Sequence, residues 1–154
     1  MPRSEYHDTP VIEFHEAFGA PVALTPTTPP ADRRLLRLAL IFEELLELAE
    51  ASGYELVPSA DGLRQWRWEP TEFVPSPVAA ADALADLRYV VDGASLEWGI
   101  PLEKCFREVH RSNMSKLGED GRPLLRADGK ILKGPNFTPP DLASILELYG
   151  SLPR

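Results

Sequence analysis

Proline placement constrains this chain more than any other feature. There are 16 prolines in 154 residues, about twice the usual share of roughly 5%. Spread evenly, such a content would signal a disordered, low-complexity chain. It is not spread evenly: no proline falls in 31–57, in 78–100 or in 102–122. Proline breaks a helix because it lacks the N–H donor and its ring clashes with the preceding turn. Three proline-free windows between proline-rich joints therefore predict three helices and their connections. The warning of disorder is then confined to residues 1–30 and the last few positions.

The windows fill in readily. Residues 33–52 read RRLLRLALIFEELLELAEAS, rich in Leu, Ala, Glu and Arg, all strong helix formers. Asp32 is placed to cap this helix, and Gly53 to stop it. Apolar residues fall on nearly every side, which predicts a central helix in a bundle or an oligomer core. Residues 79–98 form a second buried helix, ending at Gly99. Pro101 suits the first position of a third, running to about Ser112. Before these, Val11 to Phe18 predicts a short helix stopping at Gly19, and 24–30 an extended linker. Residues 54–77 read as a long connection with short extended pieces, whose Trp66 and Trp68 cover the bundle or a partner subunit. Near the end, Asp128-Gly129 predicts a hairpin pairing Leu124-Leu125 with Ile131-Leu132. Asp141 caps a last helix over 142–149.

Length and composition exclude several classes. A chain this long makes one domain with a sizeable core. No apolar run reaches a membrane span, and MPRSEYHDTP has no signal-peptide core, so the cytoplasm is the expected compartment. The single cysteine, Cys105, excludes an internal disulfide and a multi-Cys zinc site. A net charge of −8 argues against a general nucleic-acid binder.

The acids cluster. Glu43, Glu44, Glu47 and Glu50 interrupt the apolar 33–52 helix. At about 100° per residue, Glu47 lies about 40° from Glu43, Glu44 about 60° from Glu47, and Glu50 about 20° to the other side of Glu43. All four crowd one side. Asp82 and Asp86 repeat the pattern on the next helix, and Tyr89 and Gly93 continue their face. Asp is a poor helix former, so two inside a helix need a reason. A solvated stripe would explain one such helix. Two of them, apolar around and without compensating lysines, point to a cation. Oxygen ligands suit Mg²⁺, with Mn²⁺ a substitute.

Here a family resemblance becomes visible. Glu43-Glu44-Leu45-Leu46-Glu47 resembles the EExxE signature of the MazG-like, all-α NTP pyrophosphohydrolases. The stretch from Asp82 to Tyr89 resembles their second motif, ExxD. The tail segments EVHRSNMSKL (108–117) and DGKILKGPNFTPPDL (128–142) resemble a phosphoribosyl-ATP pyrophosphohydrolase-like or dimeric dUTPase-like subgroup. The likeness covers most of 33–142. Two departures stand out. Ala83 occupies the ExxD glutamate position, so Asp82 becomes a substitute ligand by inference. The gap between the motifs is also long, making the Trp66/Trp68 segment an insertion.

The resemblance implies an all-α, four-helix-type bundle with a short C-terminal hairpin, in a single domain over 1–154. It implies hydrolysis of a nucleoside triphosphate to monophosphate and pyrophosphate. Glu44, Glu47 and Asp86, with Asp82 assisting, would hold Mg²⁺; Glu43 or Glu44 would act as general base. Asn113 would contact sugar or base, and Lys116, Lys130 and Lys133 the phosphates. The family forms dimers or dimers of dimers, so a homodimer at least is expected. The substrate leans to a deoxypyrimidine such as dUTP. Phosphoribosyl-ATP hydrolysis is the enzymatic rival. A non-catalytic dimeric nucleotide-binding regulator, motivated by Ala83, is the other.

The remaining candidates read as structural. Arg111 and Arg126 suit an ordinary charged surface. His15 and His110 are isolated packing or hydrogen-bonding residues. Cys105 reads as core. Phe14 and Phe18, one turn apart, also read as core, with stacking on a base as the other possibility. The segment around Gly118 to Gly121 lacks the GK[ST] ending of a phosphate-binding loop.

Overall fold

The structure, a computed structural model, describes residues 10–58 and 66–150. The N-terminal decapeptide apart from Pro10, the last few positions and the centre of the Trp-containing connection, all read above, lie outside the described residues. The helices are α1 (Pro10–Phe18), α2 (Ala31–Ala51), α3 (Pro77–Trp98), α4 (Leu102–Met114) and α5 (Leu142–Glu147). Strands β1 (Tyr54–Pro58) and β2 (Trp66–Pro70) form one antiparallel hairpin, with Leu56 opposite Trp68. The fold is all-α in class, and the three proline-free windows hold α2, most of α3 and α4. No described helix is long and apolar enough to cross a membrane.

The described residues divide into two compact units, one of 10–22, 29–58 and 66–97, the other of 23–28 and 98–150. In the first, α2 and α3 lie antiparallel in a fixed register. Arg33 and Arg37 of α2 meet Glu97 of α3. One turn along, Arg37 also lies against Gly93. Further on, the charge of Asp86 acts on Glu44. At the far end Ala51 and Ala79 line one cleft, and Ser76 N–H donates to the Ala51 carbonyl at 3.0 Å. Helix α1 packs on α3 through a small core of Val11, Ile12 and Leu96, with Tyr89 against it.

Several expectations are corrected. Asp32 does not cap α2. Pro30 holds that position, with no side-chain cap, and Asp32 sits in the first turn. Pro101 stands at the N-cap of α4 rather than inside it. Neither α2 nor α3 is buried all round within the chain. The buried residues of α2 are Arg37, Ala49 and Ala51, whereas Leu35 and Leu38 are 69% and 66% exposed. One chain has too few elements to cover so wide an apolar surface. Phe14 and Phe18 are not core either, being 42% and 74% exposed. The buried places of α1 are taken by Val11, Ile12 and His15.

Other expectations hold. Gly53 ends α2 with φ +80°, a left-handed conformation that glycine adopts without steric cost. The connection after it contains the predicted extended pieces. Trp68 and Tyr54 join Leu45, Leu48, Ala49 and Ser52 around an open apolar groove of about 420 Å³, while Trp66 stays exposed.

In the second unit, Gly99 ends the α3 segment with φ +61°, and a Cβ there would lie 2.1 Å from the Thr25 carbonyl oxygen. The C-terminal hairpin has the expected register. Leu125 bridges Ile131, and Leu132 N–H donates to the Leu124 carbonyl at 2.8 Å. Asp141 caps α5, accepting from Ser144 N–H at 3.1 Å. Glu108 ties α4 to this cap by accepting from Asp141 N–H at 2.9 Å. That bond and Arg111 push the Glu108 pKa down to about 2, with Arg111 the larger cause. Cys105 is buried and unpaired in α4.

Candidate active site

The carboxylates singled out in the sequence come together. Glu43, Glu44 and Glu47 stand on α2, and Asp82 and Asp86 on the facing stretch of α3. Glu44 is half-buried; the other four are exposed. Desolvation is the largest influence on Glu44 and raises its pKa above the usual carboxylate range. The negative charges of Glu47, Asp86, Glu43 and Asp82 raise it further. Like charges facing one another disfavour ionisation, so this is a site of unrelieved negative potential. Beside it, Glu47, Glu50 and Asp82 flank a cleft of about 380 Å³ walled by Phe73 and Val74.

The donor set is all oxygen and suits a hard divalent cation. Among the described residues, however, no three His, Cys, Asp or Glu side chains form a ready-made metal cluster. The charges of the other four act on Glu44, yet the set does not close a cage. Such an open set fits a cation that keeps waters or takes phosphate oxygens as its remaining ligands, as Mg²⁺ does. Ala83, where the resemblance leads one to expect Glu, is buried at 3% exposure. Asp82 is on the cleft.

The residues expected to bind substrate lie in the other unit. Lys116 Nζ donates to Asn113 Oδ1 at 2.7 Å, so these two form one group at the end of α4. Lys130 and Lys133 sit on the second hairpin arm. The Lys133 ammonium lies 4.3 Å from the Phe137 ring centroid, and Lys130 N–H donates to Asp128 Oδ1 at 3.2 Å. Arg111 and Arg126 are occupied by Glu108 and Asp128, as expected of a charged surface.

Sequence reasoning missed the buried polar group that holds the carboxylate helices. Arg37 Nε donates to Glu97 Oε1 at 2.8 Å, and Arg33 forms a two-pronged pair with the same carboxylate. Glu97 is 3% exposed. Burial alone would raise its pKa, but the hydrogen bonds and charges of Arg33 and Arg37 outweigh burial and hold it below the usual range. His15 joins from α1. Its Nε2 is 3.0 Å from Arg37 Nη2, and its Nδ1 is 2.9 Å from the Pro21 carbonyl oxygen. The pattern assigns the proton to Nδ1, which donates to Pro21, and leaves Nε2 to accept from Arg37. The spacing of Arg33 and Arg37, and of Gly93 and Glu97, one turn each, carried this signal. A Cβ at position 93 would lie 2.8 Å from Arg37 and 3.1 Å from His15 Nε2.

Comparison with known proteins defines the class. Residues 11–113 match the family of phosphoribosyl-ATP pyrophosphohydrolases, a stretch that holds both carboxylate motifs and Asn113. The chain is thus a pyrophosphohydrolase built on helices. It belongs to the phosphoribosyl-ATP pyrophosphohydrolase family, the MazG-like group its motifs resemble. Lys116, Lys130 and Lys133 fall beyond the matched stretch. Among solved structures, the chain is similar to a candidate NTP pyrophosphohydrolase from Exiguobacterium sp. 255-15. The identity is 27%, over 97% of this chain and 95% of that one, with a TM-score of 0.43. No curated protein matches the chain significantly.

Proposed function

We propose that the protein is a Mg²⁺-dependent nucleoside triphosphate diphosphatase that hydrolyses a (d)NTP to its monophosphate and pyrophosphate. The observation that carries this reading is the family match over residues 11–113, a stretch in which Glu43, Glu44 and Glu47 of α2 face Asp82 and Asp86 of α3 closely enough for their charges to act on Glu44. A surface this acidic repels a triphosphate, and a divalent cation between the two removes that repulsion. Glu44, Glu47 and Asp86, with Asp82 in place of the absent glutamate, would hold Mg²⁺; Mn²⁺ has a compatible ligand preference. When bound, the ion neutralises phosphate charge and makes a water more acidic.

The chain's own part is positional and basic. A water oxygen attacks phosphorus, the P–O bond of the α–β bridge breaks, and the bridging oxygen leaves with the pyrophosphate. The water's proton goes to Glu43 or Glu44. Asn113 and Lys116 act as one pair on the nucleotide, and Lys130 and Lys133 add positive charge for the phosphates.

A deoxypyrimidine such as dUTP is the substrate we favour, because the Asn113 amide offers both a donor and an acceptor to a pyrimidine edge. The family match favours phosphoribosyl-ATP as the second candidate. The exposed apolar surface of α2 supports a homodimer, or a dimer of dimers, as the working form. Pyrophosphate release from each NTP and dNTP, and from phosphoribosyl-ATP, with and without Mg²⁺, tests the reading. Robust turnover in EDTA would sink it. Binding without any release would favour the non-catalytic regulator.

A further inference from the structure

Phe14 and Phe18 are stacked, with centroids 4.3 Å apart and planes inclined by 26°. Phe14 meets Tyr89 edge-on, at 5.7 Å and 86°. One ring is thus seated on the protein, and the outer ring, Phe18, is 74% exposed. A lone exposed phenylalanine is unremarkable in a soluble protein. A ring held in a stack, with its outer face free, is a prepared surface for a further flat ring.

Its position adds the second observation. Tyr89 shares the face of α3 that carries Asp82 and Asp86, at about one and two turns' distance. Helix α1 runs against α3 with Val11 and Ile12 at Leu96 and Phe14 at Tyr89. Continuing α1 to Phe18 therefore moves down α3 in the direction of Asp86, the residue whose charge reaches Glu44. Platform and carboxylates belong to the same unit and the same stretch of α3.

We infer that Phe18, backed by Phe14 and Tyr89, is the stacking platform for the nucleobase of the nucleotide whose phosphates are handled at the carboxylates. The inference rests on the function proposed above and adds to it the site that recognises the base. Every base has a π-face, so a stacking platform accepts purines and pyrimidines alike. The platform therefore distinguishes nucleotides from base-free polyphosphates. The choice between bases falls to other residues.

The test uses the full chain with Phe18→Ala and Phe18→Trp. Phe18→Ala should raise KM for dNTPs about tenfold or more, the loss of one stacked base, with kcat within about twofold; Phe18→Trp should restore KM. Inhibition by inorganic tripolyphosphate, which has no base, should be equal in all three proteins. Calorimetric titration with dUMP and dAMP in Mg²⁺ gives a readout independent of hydrolysis, and Phe18→Ala should weaken both by a similar factor. If the wild type turns over no triphosphate but Phe18→Ala still loses monophosphate binding, the proposed reaction fails and the platform stands. Three results would overturn the platform: no binding of either monophosphate by the wild type, equal binding by Phe18→Ala, or parallel loss of tripolyphosphate inhibition. A change in oligomeric mass with unaltered KM would overturn it too, assigning the pair to a second copy of the chain.

Discussion

Arg37 of α2 and Glu97 of α3 are joined inside the first unit by a 2.8 Å hydrogen bond, with side chains 11% and 1% exposed. Removing one partner of a buried pair strands the other charge, at a cost of about 3–5 kcal/mol. Glu97→Ala strands Arg37 and deprives Arg33 as well. Urea denaturation should show a loss of that size. An unchanged midpoint would mean the pair does not hold α2 to α3.

The same group makes stability depend on pH. His15 is buried, and desolvation is the main cause of its lowered pKa. The Pro21 hydrogen bond opposes this, and Arg37 adds to it. The unfolded chain then binds a proton that the folded chain refuses. Stability from this group is present above the ordinary histidine value of 6.5 and falls as pH drops through and below it. Denaturation midpoints should decline from pH 7.5 to 5.5 in the wild type and decline less in His15→Gln. Equal slopes in the two proteins would remove His15 as the cause. Glu97, with its lowered pKa, adds a further loss only below about 4.5.

Gly93→Ala inverts the usual helix rule. Alanine is better than glycine in a helix interior by about 1 kcal/mol. Here its methyl group would sit 2.8 Å from the Arg37 guanidinium and 3.1 Å from His15. Overpacking of this kind costs about 1–3 kcal/mol. The expected result is a net destabilisation by thermal melting. A rise in Tm would show that Arg37 moves aside freely.

At the carboxylates, stability and activity should part company. Glu44 has a raised pKa in the folded state, so its ionisation destabilises the fold as pH rises above about 4.5. Glu44→Gln should therefore melt higher than the wild type at pH 7 without metal. Glu47→Gln and Asp86→Asn should keep the circular dichroism spectrum of the wild type and abolish pyrophosphate release. Mg²⁺ should raise the Tm of the wild type and leave the Glu47→Gln/Asp86→Asn double variant unmoved. A fully active double variant would refute the site.

Much of this was legible in the sequence for local reasons. Helix limits follow from proline and glycine, whose effects act within a turn, so α1, the end of α2 and the Leu125–Ile131 hairpin were readable directly. The carboxylates were readable because charge inside an apolar helix stands out. What escaped depends on partners far along the chain. Glu97 looks like any helix acid until Arg33 and Arg37 are placed beside it. Phe14 and Phe18 follow core spacing, and only the structure shows that Val11, Ile12 and His15 take the buried places of α1 and leave them exposed. Asp32 has a good capping side chain, but the helix begins two residues too early for it.

The register of α2 against α3 has one more consequence. Opposed carboxylates on two helices would ordinarily relax by a slide of one turn. Here such a slide would carry Arg37 away from Glu97, and Ser76 away from the Ala51 carbonyl, at opposite ends of the pair. The cohesive contacts thus hold the acids of α2 opposite those of α3. A ligand that neutralises them meets carboxylates already fixed in place, so little of its binding free energy is lost in arranging them.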